Sequence, residues 1–171
     1  MYIEHYKSWL LLFLSLGISS VAAQFTAQNG TLHSGNLPDS SSSDEWTLAT
    51  TAEADLLVSI GTEFSPSLQI FDSSGDLLAQ RLGNGGDTIA ELYISSVPSD
   101  TYRIRVGSRF GQSGAYVLNA VSLSGSTFVA AGDEGGLVTG VEAREASLPP
   151  GDLDVWTVLA DEGNTIISRL G

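Results

Sequence analysis

Few side chains in this sequence stand where they could do bond chemistry. Past residue 23 there is one histidine, His33, and the chain contains no cysteine. A general base needs a nucleophile and an orienting acid beside it, and no Gly-x-Ser-x-Gly elbow supplies the nucleophile. His33 therefore reads as an ordinary strand histidine. Carboxylates occur as adjacent pairs, Asp44/Glu45, Asp133/Glu134 and Asp161/Glu162. Adjacent side chains on a strand point to opposite faces, so such pairs are badly placed to share an acid/base task. The expectation is a chain with no catalytic, cofactor-binding or metal residues, hence not an enzyme.

Two stretches do place oxygen ligands close together, as a hard cation prefers: Asp72-Ser73-Ser74-Gly75-Asp76 and Asp152-Leu153-Asp154. Neither has EF-hand spacing, and the first is sufficient as a hairpin turn without a metal. Calcium stays an alternative at Asp72, Asp76, Asp152 and Asp154, with no ligand set assigned. No glycine-rich run follows a strand and opens a helix, so nucleotide binding is unsupported, and Gly83 to Gly86 reads as a turn. Alternation leaves Phe71, Phe110 and Tyr93 on outer faces or loops, where they are candidates for a peptide or glycan platform.

The elements that would position these residues are strands. In Thr101 to Gly107, Tyr102, Ile104 and Val106 alternate with Arg103 and Arg105, the pattern of a sheet with one dry face. Ala115 to Val121 repeats it with Tyr116, Leu118 and Ala120, and the two runs are expected to form the last hairpin of a sandwich. Earlier runs are Thr31 to Leu37, Glu45 to Ala49 (Trp46 and Leu48 inward) and Asp55 to Ile60 (Leu56, Val58 and Ile60 inward). Ser67 to Phe71 (Leu68 and Ile70 inward), Leu77 to Gln80 and Thr88 to Ile94 (Ala90, Leu92 and Ile94 inward) complete the set. Asp72 to Gly75 and Asn84 to Asp87 are turn sequences between them. Short strands at regular spacing predict an all-β, antiparallel β-sandwich, jelly-roll-like, of about eight strands.

Composition bounds the partners. Apolar residues are 42% and charged residues 16% of 171, the balance of a globular domain, and the formal charge is −13. Lys7 is the only lysine. Residues 1–23 read as a secretory signal, with an apolar core from Trp9 to Ile18 and small residues Val21-Ala22-Ala23 before Gln24. Removal would leave arginine as the sole cation against nineteen acids (twenty less Glu4). Such a surface excludes nucleic acid and anionic membranes as partners and fits solubility by self-repulsion or a saline habitat. The chain is expected to be secreted, periplasmic or extracellular, with no membrane contact after signal cleavage.

The opening of the domain then returns. Asp152-Leu153-Asp154-Val155-Trp156-Thr157 aligns with Ser42-Ser43-Asp44-Glu45-Trp46-Thr47, and Asn164 to Gly171 aligns with Ala54 to Gly61. The offset is constant, 156 − 46 = 110 and 171 − 61 = 110, the length of a whole domain and not of a solenoid turn. The expected organisation is a signal (1–23), a short segment (24–29), a sandwich (30–124), a linker (125–135) and a truncated second copy (136–171).

Five pieces in order are Gly30-Thr31-Leu32, Asp44-Glu45-Trp46-Thr47-Leu48, Leu68 to Gly75, Thr101 to Val106 and Gly114 to Leu118. In that order the chain resembles the bacterial pre-peptidase C-terminal domain, a jelly-roll-like sandwich appended to secreted proteases and other exported proteins. It departs from that family's usual glycine before the Thr-Tyr pair, having Asp100, a residue that tolerates a left-handed turn. The resemblance implies a non-catalytic exported accessory module for binding, spacing or assisting secretion, its partner an extracellular protein or polysaccharide. The alternative is a stand-alone carbohydrate- or matrix-binding protein, calcium-assisted or not.

Overall fold

The computed structural model describes residues 23–124, 135–139 and 144–162, and among them the regular elements are all strands. They are β1 (Ala23–Thr26), β2 (His33–Leu37), β3 (Ser43–Ala49), β4 (Ala54–Thr62), β5 (Pro66–Phe71) and β6 (Leu77–Leu82). β7 (Ile89–Val97), β8 (Thr101–Ser108), β9 (Gly114–Leu123), β10 (Gly135–Val138) and β11 (Val155–Val158) follow. Five strands form one sheet in the order β1-β3-β8-β5-β6, and four form the other in the order β2-β9-β4-β7. β10 and β11 make a separate two-stranded ribbon.

Two-residue alternation decides which side chains lie between the sheets. Trp46, Leu48, Leu68, Ile70, Tyr102, Ile104 and Val106 point in from the five-stranded sheet and are buried. Leu37, Leu56, Val58, Ile60, Ala90, Tyr116, Leu118 and Ala120 meet them from the other sheet, with Leu92 and Ile94 packed at the margin. Full burial of each large apolar side chain contributes about 1.5–3 kcal/mol, which is what holds two half-wet sheets face to face.

The expected hairpin of the two strongest alternating runs is not formed. β8 lies between β3 and β5 in one sheet, whereas β9 lies between β2 and β4 in the other. The connection from Arg109 to Ser113 therefore arches over the core. Sheets stack about 10 Å apart and an extended residue spans about 3.3 Å, so five residues suffice for either path. Alternation reports which face is dry and is silent on which sheet a strand joins.

The N-terminal segment also differs from the reading as a plain lead-in. β1 runs parallel to β3, Phe25 opposite Trp46, and Ala27 is buried in the core. Next to it, the Asn29 side chain works as a surrogate strand, donating from Nδ2 to Ser122 O and accepting from Ser122 N at 2.6 Å. The expected signal core, the residues 125–134 of the linker and the Asn164 to Gly171 match lie outside the described residues.

One polar chain crosses the apolar interior. Trp46 Nε1 donates to Tyr116 Oη at 2.9 Å, and Tyr116 Oη donates to Asp44 Oδ2 at 2.6 Å. Burial, then the bond to Asp44, pushes the Tyr116 phenol well above its ordinary range, so it stays a donor. Gly35 lies flat against that ring, and a Cβ there would overlap it. Replacing Tyr116 by Phe strands the Asp44 carboxylate and the Trp46 N–H without a shared partner. The expected cost is about 2–4 kcal/mol, read from urea denaturation with an unchanged slope. A loss below about 0.5 kcal/mol would mean that water replaces the phenol.

Candidate functional site: a groove on the four-stranded sheet

The outer face of the four-stranded sheet is covered in part by the segment before β11. Asp152 N donates to Pro149 O at 3.0 Å, closing a turn, and Asn119 Nδ2 of β9 donates to Asp152 Oδ1 at 3.2 Å. Gly151, with φ +90°, lies backbone to backbone on Gly61 of β4, and a side chain at either would overlap the other strand's main chain. This strap buries Ser59 and Asn119 although both point away from the core. At its edge Leu153 and the sheet enclose a groove of about 360 Å³ lined by Leu57, Val58, Glu91, Leu92, Tyr93 and Leu153.

The rim of the groove is organised by Asp55. Tyr93, 59% exposed, donates from Oη to Asp55 Oδ2 at 2.8 Å, and Ser96 N donates to Asp55 Oδ1 at 2.9 Å. Ser96 holds a left-handed φ of +53°, beside the bulge where β4 slips against β7 between Ala54 and Leu56. The backbone bond from Ser96 and then the bond from Tyr93 hold the Asp55 carboxyl below its ordinary value, while that same carboxylate raises the Tyr93 phenol. The result is an apolar floor with a fixed anionic rim and one exposed ring.

The other aromatics do not join it. Phe71 lies on the outer face of the five-stranded sheet, with the Arg103 and Arg105 guanidinium carbons 5.4 and 4.9 Å from its ring centre. Both arginines also bond Glu45, at 3.3 and 3.2 Å. Phe110 sits on the β8–β9 arch under Arg109. Since Tyr93 is on the opposite outer face, a single platform of Phe71, Phe110 and Tyr93 is not assembled.

His33 is engaged structurally: its Nε2 accepts from Gln28 N at 2.9 Å and its ring lies 4.9 Å from that of Trp46. Of the adjacent acids, Asp44 turns inward to Tyr116 and Glu45 outward to the arginines. Asp72 Oδ1 accepts from Asp76 N, closing the β5–β6 turn with Gly75 at φ +92°. That turn is tied to Asp100, whose Oδ2 accepts from Ser73 N and Oγ. Asp152 Oδ1 also accepts from Leu153 N at 2.9 Å. Among the described residues, no three of His, Asp and Glu converge as a metal cluster.

Against solved structures, the first likeness is the pre-peptidase C-terminal domain of collagenase from Bacillus anthracis. It has a TM-score of 0.48 and 16% identity over 58% of this chain and 96% of that one. In fold, this chain is similar to a pre-peptidase C-terminal domain. PliG of Aeromonas hydrophila, a periplasmic inhibitor of g-type lysozyme, is also similar, with a TM-score of 0.47 and 17% identity over 60% of this chain and 97% of that one. PliG of Salmonella Typhimurium gives a TM-score of 0.44 and 13% identity over 59% and 99%. No family model and no curated protein sequence matches the chain.

Because the folded Asp55 carboxyl titrates below the ordinary 3.8, its contribution is complete above that pH and is lost as pH falls through the depressed folded value. Asp55→Asn should therefore lower the thermal midpoint at about pH 7, and the gap to the parent should close at about pH 2. An equal gap at both values would assign the loss to geometry and not to charge.

Proposed function

We propose that this chain is a non-catalytic exported accessory β-sandwich module that makes its contact through the groove on the four-stranded sheet. The observation that carries the reading is the groove's composition: leucines below, Glu91 and the bonded Asp55–Tyr93 pair at the rim. Its occupant is an extracellular protein segment presenting an aliphatic side chain beside a lysine or arginine. An anionic rim on a chain of formal charge −13 recruits cations, and an exposed ring held by a carboxylate stacks on a guanidinium. The engagement of His33 in packing and of Glu45 in the arginine ladder supports a role without bond chemistry. The motif order shared with domains appended to secreted peptidases supports an exported setting.

The test is an array of immobilised peptides, basic, neutral and acidic, probed with the full chain beside soluble polysaccharides in affinity gels. Retention on peptides pairing Leu or Ile with Arg or Lys is expected, weakened about tenfold by Tyr93→Ala or Glu91→Gln. Retention by polysaccharide alone would overturn this reading in favour of a stand-alone carbohydrate-binding protein. Peptide binding that ignores both substitutions would remove the groove.

A further inference from the structure

The second copy repeats a pairing and not only a sequence. In the first copy β1 runs parallel to β3 with Phe25 opposite Trp46. In the second, β10 runs parallel to β11 with Gly136 opposite Trp156. The offsets agree within one residue, 136 − 25 = 111 and 156 − 46 = 110. β10 and β11 therefore stand where β1 and β3 stand in a sandwich. What differs is the other edge. β3 is flanked there by β8, antiparallel over seven residue pairs from Ser43↔Gly107 to Ala49↔Thr101. Among the described residues β11 has β10 as its only ladder partner.

From this geometry we propose that the outer edge of β11 is an acceptor for one antiparallel strand with apolar side chains on one face and arginine or lysine on the other. It is a different surface from the groove. The apolar requirement comes from the template. Trp46 and Leu48 are buried opposite Ile104 and Tyr102, whereas their counterparts are open, Trp156 only half-buried and Val158 46% exposed. A strand laid along β11 would cover both, and its backbone would satisfy a row of unpaired amide and carbonyl groups.

The cationic requirement comes from charge. Residues 144–162 carry one arginine, Arg144, against Glu145, Asp152, Asp154, Asp161 and Glu162, a balance of 1 − 5 = −4. Asp161 and Glu162 are exposed just beyond the strand's end. In the first copy the strand in this place is the one that carries Arg103 and Arg105. A second copy of this chain, pairing β11 with β11, would bring the same acids together, which opposes self-association.

The experiment uses the full chain carrying 5-fluorotryptophan and the octapeptide Thr-Tyr-Arg-Ile-Arg-Val-Gly-Ser, the sequence of β8. A peptide of equal composition with scrambled alternation is the control. The Trp156 fluorine resonance, assigned by its loss in Trp156→Phe, should shift saturably with the alternating peptide. Affinity for the scrambled peptide should be at least about tenfold weaker, since it offers the same charge without a dry face. Replacing Asp161 and Glu162 by lysine should weaken binding, and Tyr93→Ala, in the groove, should leave it unchanged. Equal shifts from both peptides would reduce the site to non-specific charge attraction and overturn the proposal. So would an unmoved Trp156 resonance, or a Trp156 shift that follows protein concentration alone with a dimer mass in sedimentation.

Discussion

Two sheets that must each stay wet on one side and dry on the other are registered against one another by a single polar thread. Trp46, Tyr116 and Asp44 lie on β3 and β9, which belong to different sheets, so their two bonds join the layers directly. Apolar packing alone would accept small slips of one layer over the other, because it is non-directional. Hydrogen bonds in a dry interior are directional and costly to leave unmade. Gly35 follows from the same constraint, since only a residue without Cβ lets β2 lie against the tyrosine ring. Phe25 and His33 then close over the indole from β1 and β2, at 4.8 and 4.9 Å between ring centres.

Much of the interior was legible in the sequence because alternation is a local signal. Trp46, Leu48, Leu56, Val58, Ile60, Leu68, Ile70, Tyr102, Ile104, Val106, Tyr116, Leu118 and Ala120 are the inward sets of their runs, and all are buried. Strand partnership was not legible, since it depends on contacts far apart in the chain. The arch between β8 and β9 looks, residue by residue, like a hairpin loop. β1 was hidden for a related reason: four residues ending at Thr26 are too few to display a period, and the strand exists only because β3 offers it an edge.

The groove was the least legible part. Tyr93 was identifiable as an outward aromatic, but its partner Asp55 lies 38 positions away, and the two meet only because β4 and β7 pair with a bulge. Ser59 and Asn119 occupy outward positions in alternating strands, which normally means solvent, yet both are buried beneath the strap from Pro149 to Leu153. The repeat explains part of this. The stretch that aligns with the approach to β3 is used in the second copy to lie on the first copy's sheet, a role its sequence does not announce.

The glycine pair at that strap has a mechanical meaning. With no side chain between Gly61 and Gly151, the main chains rest directly on one another, and Asn119 grips the adjoining aspartate. Tension on the chain beyond Asp152 would thus enter the sandwich through its central strands, loaded in shear over a short span, and not through a slack tether. Neighbouring units joined this way would keep a set pitch, like stones bedded without mortar, and their spacing would be a property of the junction.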